Sequence, residues 1–148
     1  MAEKEPIART DYRHFRKIPT RWLDNDVYGH VNNVVYYSYF DTVVTGHLVD
    51  SGVLDYRNAS VIGIVVETRC SFLKELAFPE VVHAGIRIAK LGNSSVRYEI
   101  ALFSGDDPEP AATGYFIHVY VDRETRRPVR IPDNVRTAMA PLVVAAPG

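Results

Sequence analysis

From Asn33 to about Asp50 the apolar residues Val35, Tyr36, Tyr39, Phe40, Val43, Val44 and Leu48 recur at spacings of three and four, the stripe of an amphipathic helix. Asn32 or Asn33 can cap its start, and Ser51-Gly52 can end it. Valine, tyrosine and threonine are mediocre helix formers, so burial must stabilise this segment. A helix this apolar needs a sheet around it, and that requirement narrows the folds open to the chain.

Strands to build such a sheet are present. In Val96 to Phe103, Val96, Tyr98, Ile100 and Leu102 share one side while Arg97 and Glu99 share the other. Val81 to Lys90 places Val82, Ala84, Ile86 and Ile88 on one side, and Leu91-Gly92-Asn93-Ser94-Ser95 is turn chemistry between the two, predicting an antiparallel hairpin. Tyr115 to Asp122 alternates as well, and Asp122 to Pro128 offers a turn into residues 129–132. Val61 to Phe72 is a long run rich in Val and Ile, as expected for a more buried strand. His14 to Trp22 is a weaker strand, with Pro19 confining it to an edge or a bulge. A short last helix is expected at Asp133 to Leu142. The fold class read from this order is α+β: an antiparallel sheet with one long helix. Residues 1–148 make one domain, with a core from about residue 12 to residue 142 and tails at 1–11 and 142–148.

Composition narrows the function. With 47% apolar and 24% charged residues the chain can bury a real core. Lys plus Arg number 17 against 18 Asp plus Glu, a net charge of -1, which provides none of the basic field of a nucleic-acid or acidic-membrane partner. The N-terminus lacks the apolar core of a signal peptide, and no apolar run is long enough to span a membrane. A single cysteine, Cys70, can form neither an intrachain disulfide nor a cysteine-based zinc site. A cytoplasmic protein without membrane or nucleic-acid partners is expected.

The residues able to do chemistry concentrate between the first strand and the helix, in Arg21-Trp22-Leu23-Asp24-Asn25-Asp26-Val27-Tyr28-Gly29-His30-Val31-Asn32-Asn33. A helix N-terminus presents unpaired N–H groups and about half a positive charge, so it can polarise an electron-rich oxygen. A carboxylate and an imidazole beside it could supply base, nucleophile or acid for attack on a polarised carbonyl. The same residues also have plainer readings. Asp24-x-Asp26-x-x-Gly29 begins like a calcium loop, but the fifth and twelfth positions would be Tyr28 and Val35, where oxygen ligands are needed. Aspartates and asparagines here can serve only as turn and cap residues. His14, His47, His83 and His118 are read as structural or surface histidines, and no metal-ligand spacing or nucleotide-binding glycine motif is present.

The segment Arg21 to Phe40, with its Asp-x-Asp-x-x-Gly-His-Val-Asn-Asn core, resembles the signature of the hotdog-fold thioesterases. The branch it resembles includes the 4-hydroxybenzoyl-CoA thioesterases, bacterial acyl-CoA thioester hydrolases and plant acyl-ACP thioesterases. The likeness continues through Glu67 to Phe103 and spans roughly residues 13–132. It implies a sheet of about five strands wrapped around the helix, and homodimers, often paired into homotetramers, with active sites at the dimer interface. It also implies hydrolysis of an acyl-CoA, with acyl-ACP as the alternative, and no cofactor. On the same resemblance Asp26 matches the catalytic carboxylate, acting as nucleophile or as base toward water. Asn33 stands where the first-turn N–H meets the thioester oxygen, and His30 matches a histidine that assists in the plant branch.

The sequence departs from that branch at Tyr28, which is asparagine in the plant enzymes, and at Ser71 and Phe72, which stand near their downstream acidic and thiol residues. Substrate contacts are expected from Tyr28, Gly29 and Val34 around the motif and from Glu67, on the run entering the middle of the sheet, with a structural ion pair to Arg69 or an edge position as the equal alternative reading of Glu67. Others are expected from Lys90, Ser94 and Ser95, near the turn where the 4-hydroxybenzoyl branch carries a basic CoA-gripping cluster. Two rival readings are a hotdog hydratase or dehydratase and a binding module without turnover. The hydratases resemble one another in an aspartate followed five residues later by histidine, whereas His30 lies four after Asp26 and six after Asp24.

Overall fold

The computed structural model describes residues 8–144. Five strands, β1 (His14–Pro19), β2 (Val61–Phe72), β3 (Val81–Leu91), β4 (Ser95–Ser104) and β5 (Ala112–Asp122), form one sheet. Their order is β1-β3-β4-β5-β2, with every neighbour antiparallel. The long helix α1 (Asn33–Asp50) falls on the expected residues, and a short α2 (Asp133–Met139) runs into a 3-10 turn at Ala140–Leu142. No helix of the described residues is long and apolar enough to cross a membrane.

The strand periods decide which faces meet the helix. Val82, Ala84, Ile86 and Ile88 of β3 and Val96, Tyr98, Ile100 and Leu102 of β4 are all buried, as their alternation predicts. On α1 the buried residues are Tyr36, Tyr39, Phe40, Val43, Val44 and Leu48, the expected stripe except for Val35, which is half-buried. Helix and sheet approach closely at Gly114, where an added Cβ would lie 2.5 Å from the Phe40 ring and 2.0 Å from the Arg69 carbonyl. Only glycine permits that approach.

Two expectations change. The apolar run Val61–Phe72 is not a strand covered on both sides: β2 is the last strand in the order, paired only with β5, and Ile64, Val65 and Val66 are exposed. A Val/Ile run signals a surface that must be covered, but not whether the cover comes from the same chain. Glu67 accordingly takes the edge position, the alternative to a strand entering the middle, and the Tyr115 hydroxyl donates to it at 2.5 Å. The polar tails are also shorter than expected. Arg9 donates to the Gly105 and Asp107 carbonyls, Leu142 is buried, and Val143 bridges Ile88. The outer parts of both tails, 1–7 and 145–148, lie outside the described residues.

Candidate active site

The loop between β1 and α1 is organised around Asp24. Its carboxylate, 1% exposed, accepts from the Arg21 backbone and guanidinium and from the Tyr39 hydroxyl at 2.7 Å, while its carbonyl accepts from Asn32 N–H. Burial alone would push the carboxyl up, but the Tyr39 and Arg21 hydrogen bonds outweigh it and hold Asp24 below the usual carboxylate range. Asp24 thus ties the loop to the second turn of the helix and has no oxygen left for chemistry.

Asp26 is placed differently. Gly29 N–H donates to the Asp26 carbonyl at 3.0 Å and Asp26 N–H to the His30 carbonyl at 2.9 Å, closing a tight turn. Gly29 takes φ +84° there, a conformation that favours glycine. Within this turn Asp26 Oδ1 accepts from Tyr28 N–H at 2.9 Å, while no described residue donates to Oδ2. Two residues after His30, Asn32 caps α1, its side chain accepting from Val34 N–H at 3.0 Å and its carbonyl from Val35 N–H at 2.9 Å. Asn33 N–H is left in the first helical turn without an acceptor among the described residues.

The other wall comes from the segment after β2. Val31 N–H donates to the Leu76 carbonyl at 2.7 Å, Leu76 N–H to the Tyr36 hydroxyl oxygen at 3.2 Å, and Phe78 N–H to Asn25 Oδ1 at 3.0 Å. These bonds bring Glu75 to His30, with Nε2 to Oε2 at 2.7 Å. Between the two walls is an open cavity of about 410 Å³, lined by Asp26, Tyr28, His30, Val31, Asn33, Tyr36 and residues 72–75. Its lysine, Lys74, is held by Asp107 at 3.1 Å and Glu109 at 2.9 Å, which offsets its charge. A second hollow of about 480 Å³, lined by Trp22, Leu23, Asn25, Asp26, Val27 and Gly29, has Asp26 in common with the first.

Of the residues singled out from sequence, Asp26, Tyr28, His30 and Asn33 line one cavity, and Gly29 lines the adjoining hollow. Val34 is exposed on the first helical turn but lines neither, and Glu67 lies mid-strand on β2. Lys90, Ser94 and Ser95 stand at the far end of the β3–β4 hairpin, about 30 Å along β3 from Val81 at the cavity end. Ser71 does not line the cavity, whereas Phe72 does, with its ring 4.9 Å from that of Tyr36. Lys74 and Glu75 were missed: no spacing in sequence connects them to His30, because the link runs through the Val31–Leu76 pairing. Tyr36 belongs to the apolar stripe of α1, yet its hydroxyl also secures the second wall. Among the described residues, no three His, Cys, Asp or Glu side chains are grouped to hold a metal ion.

The family model described as the thioesterase-like superfamily matches residues 20–139. The crystal structure of the PA5185 protein of Pseudomonas aeruginosa is 48% identical and superposes with a TM-score of 0.92, covering 97% of this chain and 100% of that one. The PA2801 protein of Pseudomonas aeruginosa, itself proposed to be a thioesterase, is 30% identical with a TM-score of 0.80 over 86% of this chain and 98% of its own. A DHNA-CoA thioesterase from Staphylococcus aureus shares the fold at 19% identity, with a TM-score of 0.76 over 85% and 87% of the two chains.

Proposed function

This chain belongs to the thioesterase-like superfamily and has its hotdog fold, and from that premise we propose that it hydrolyses an acyl thioester carried on coenzyme A. The observation that carries the proposal is that Asp26 and Asn33 line one cavity, Asn33 having a backbone N–H without an acceptor among the described residues. In the reaction the thioester oxygen lodges against Asn33 N–H at the positive end of α1, which stabilises the charge that develops as the carbonyl carbon is attacked. Asp26 Oδ2 leads the attack, directly or by taking a proton from water. The C–S bond breaks, water supplies the oxygen of the free acid, and the sulfur leaves with a proton that His30 helps to carry.

The remaining parts of the proposal are an obligate homodimer, alone or paired as a homotetramer, working in the cytoplasm without metal or added cofactor. Exposed Trp22, Leu23, Val27, Tyr28 and Val34 beside the cavity, and exposed Ile64 to Val66 on the β2 edge, support a second copy as their cover. The deciding experiment is a panel of acyl-CoA esters followed by free-thiol detection, with an acyl-ACP in parallel. Thiol release from CoA esters that is unaffected by chelator is the expected result. Release from acyl-ACP alone would move the carrier assignment, and release that requires a divalent ion would overturn the mechanism.

A further inference from the structure

The geometry points to Glu75 as the positioning residue of this site: through its 2.7 Å contact it holds the His30 imidazole with the proton on Nε2 and leaves Nδ1 as the nitrogen available for proton transfer. The inference rests on the thioesterase reading for its kinetic consequence, but its structural content stands apart from it. His30 has two carboxylates near it in the cavity wall, Asp26 and Glu75, and its ring nitrogen pairs with Glu75. Asp26 makes no ion pair with the ring: its Oδ1 accepts from the Tyr28 N–H, and its Oδ2 accepts from no described residue. The two carboxylates therefore divide the work, one left for the acyl carbon and one holding the imidazole.

The pair is supported from both sides. The residue after His30 donates its N–H to the carbonyl of the residue after Glu75, at 2.7 Å, and the Tyr36 hydroxyl oxygen accepts from that residue's N–H. On the other side of Glu75, the Leu73 and Lys74 N–H groups both donate to the Ala111 carbonyl, at 2.8 and 3.0 Å. Glu75 itself is 71% exposed, so removing its carboxylate takes nothing from the core.

Two measurements test the inference. The first is ¹⁵N NMR of the His30 side chain in mildly alkaline buffer, in the full-length protein and in Glu75→Ala. A proton on Nε2 in the parent and a mixture of tautomers in the variant are expected. A proton on Nδ1 in the parent, or an unchanged tautomer in Glu75→Ala, overturns the inference whether or not any ester is turned over. The second is a double-mutant cycle on thiol release with His30→Ala. Glu75→Ala should lower kcat about ten- to hundredfold alone and less than about twofold once His30 is gone. Equal losses in both backgrounds would mean that Glu75 acts independently of His30. A parent protein that releases thiol from no ester would sink the thioesterase reading, while the NMR result would still decide the role of Glu75.

Discussion

At the scale of single residues, the two aspartates of the motif have separable jobs. Asp24 is buried against Arg21 and Tyr39, so Asp24→Ala should destabilise the protein by about 3 kcal/mol, the scale for leaving a buried charged network without one partner, as read from denaturant unfolding. Asp26 is half-buried, and the one hydrogen bond its side chain makes among the described residues is accepted by Oδ1, which asparagine reproduces. Asp26→Asn should therefore keep the thermal midpoint and lose at least about two orders of magnitude in thiol release. A stable Asp26→Asn protein with near-normal turnover would refute the assignment. Asn33 allows a sharper test, because proline is tolerated at the first position of a helix but has no N–H to donate. Asn32 already has the extended backbone, φ -64° and ψ 143°, that a following proline requires. Asn33→Pro should fold, keep its circular dichroism and lower kcat by about 10² to 10³, the usual cost of one preorganised oxyanion donor.

At the scale of elements, helix and sheet are matched by close contact, and the fit is least forgiving at β5. Gly114→Ala would force a methyl against the Phe40 ring and the Arg69 carbonyl of β2, so it should cost about 3 kcal/mol at fixed protein concentration. On the same inner face His118 is buried beside Tyr98 and Phe116, and its Nε2 has no hydrogen-bond partner among the described residues. Burial lowers its pKa to about 4, with Asp41 a smaller opposing influence. An unfolded histidine takes up its proton near pH 6.5, so between that value and pH 4 the unfolded chain binds the extra proton and the folded one does not. Stability contributed by neutral His118 is complete above pH 6.5 and is lost as pH falls toward 4. Between pH 7 and pH 5 this amounts to about 2 kcal/mol, and His118→Phe should remove that part of the acid sensitivity in denaturant titrations at the two pH values.

At the scale of the whole molecule, one chain leaves apolar surface around the cavity mouth, where Val27 is 94% exposed, and along the β2 edge, where Val66 is 54% exposed. Both would be covered if two copies met, and Lys90, Ser94 and Ser95, remote from the cavity of their own chain, could then act only at a partner's site. Analytical ultracentrifugation at micromolar concentration should find a dimer or a dimer of dimers, and Val66→Arg should shift it toward monomer while reducing thiol release. A parent protein that stays monomeric would contradict the proposed assembly.

What could be read from sequence was whatever depends on neighbours along the chain. The span of α1, a cap at Asn32 or Asn33, the inner faces of β3 and β4 and the gathering of Asp26, His30 and Asn33 at the helix start all follow from local period and capping chemistry. Each of those signals lies within a few residues, and each amphipathic element must bury the same face whatever covers it. The tertiary structure alone decided which aspartate is buried, since it is Asp24 and not Asp26 that the Tyr39 hydroxyl and the Arg21 guanidinium reach. It also put β2 at an edge, because a run of Val and Ile demands cover without naming its source. Finally, it brought Glu75 to His30 through the Val31–Leu76 pairing, a contact between segments separated by α1 and β2 that no local period encodes.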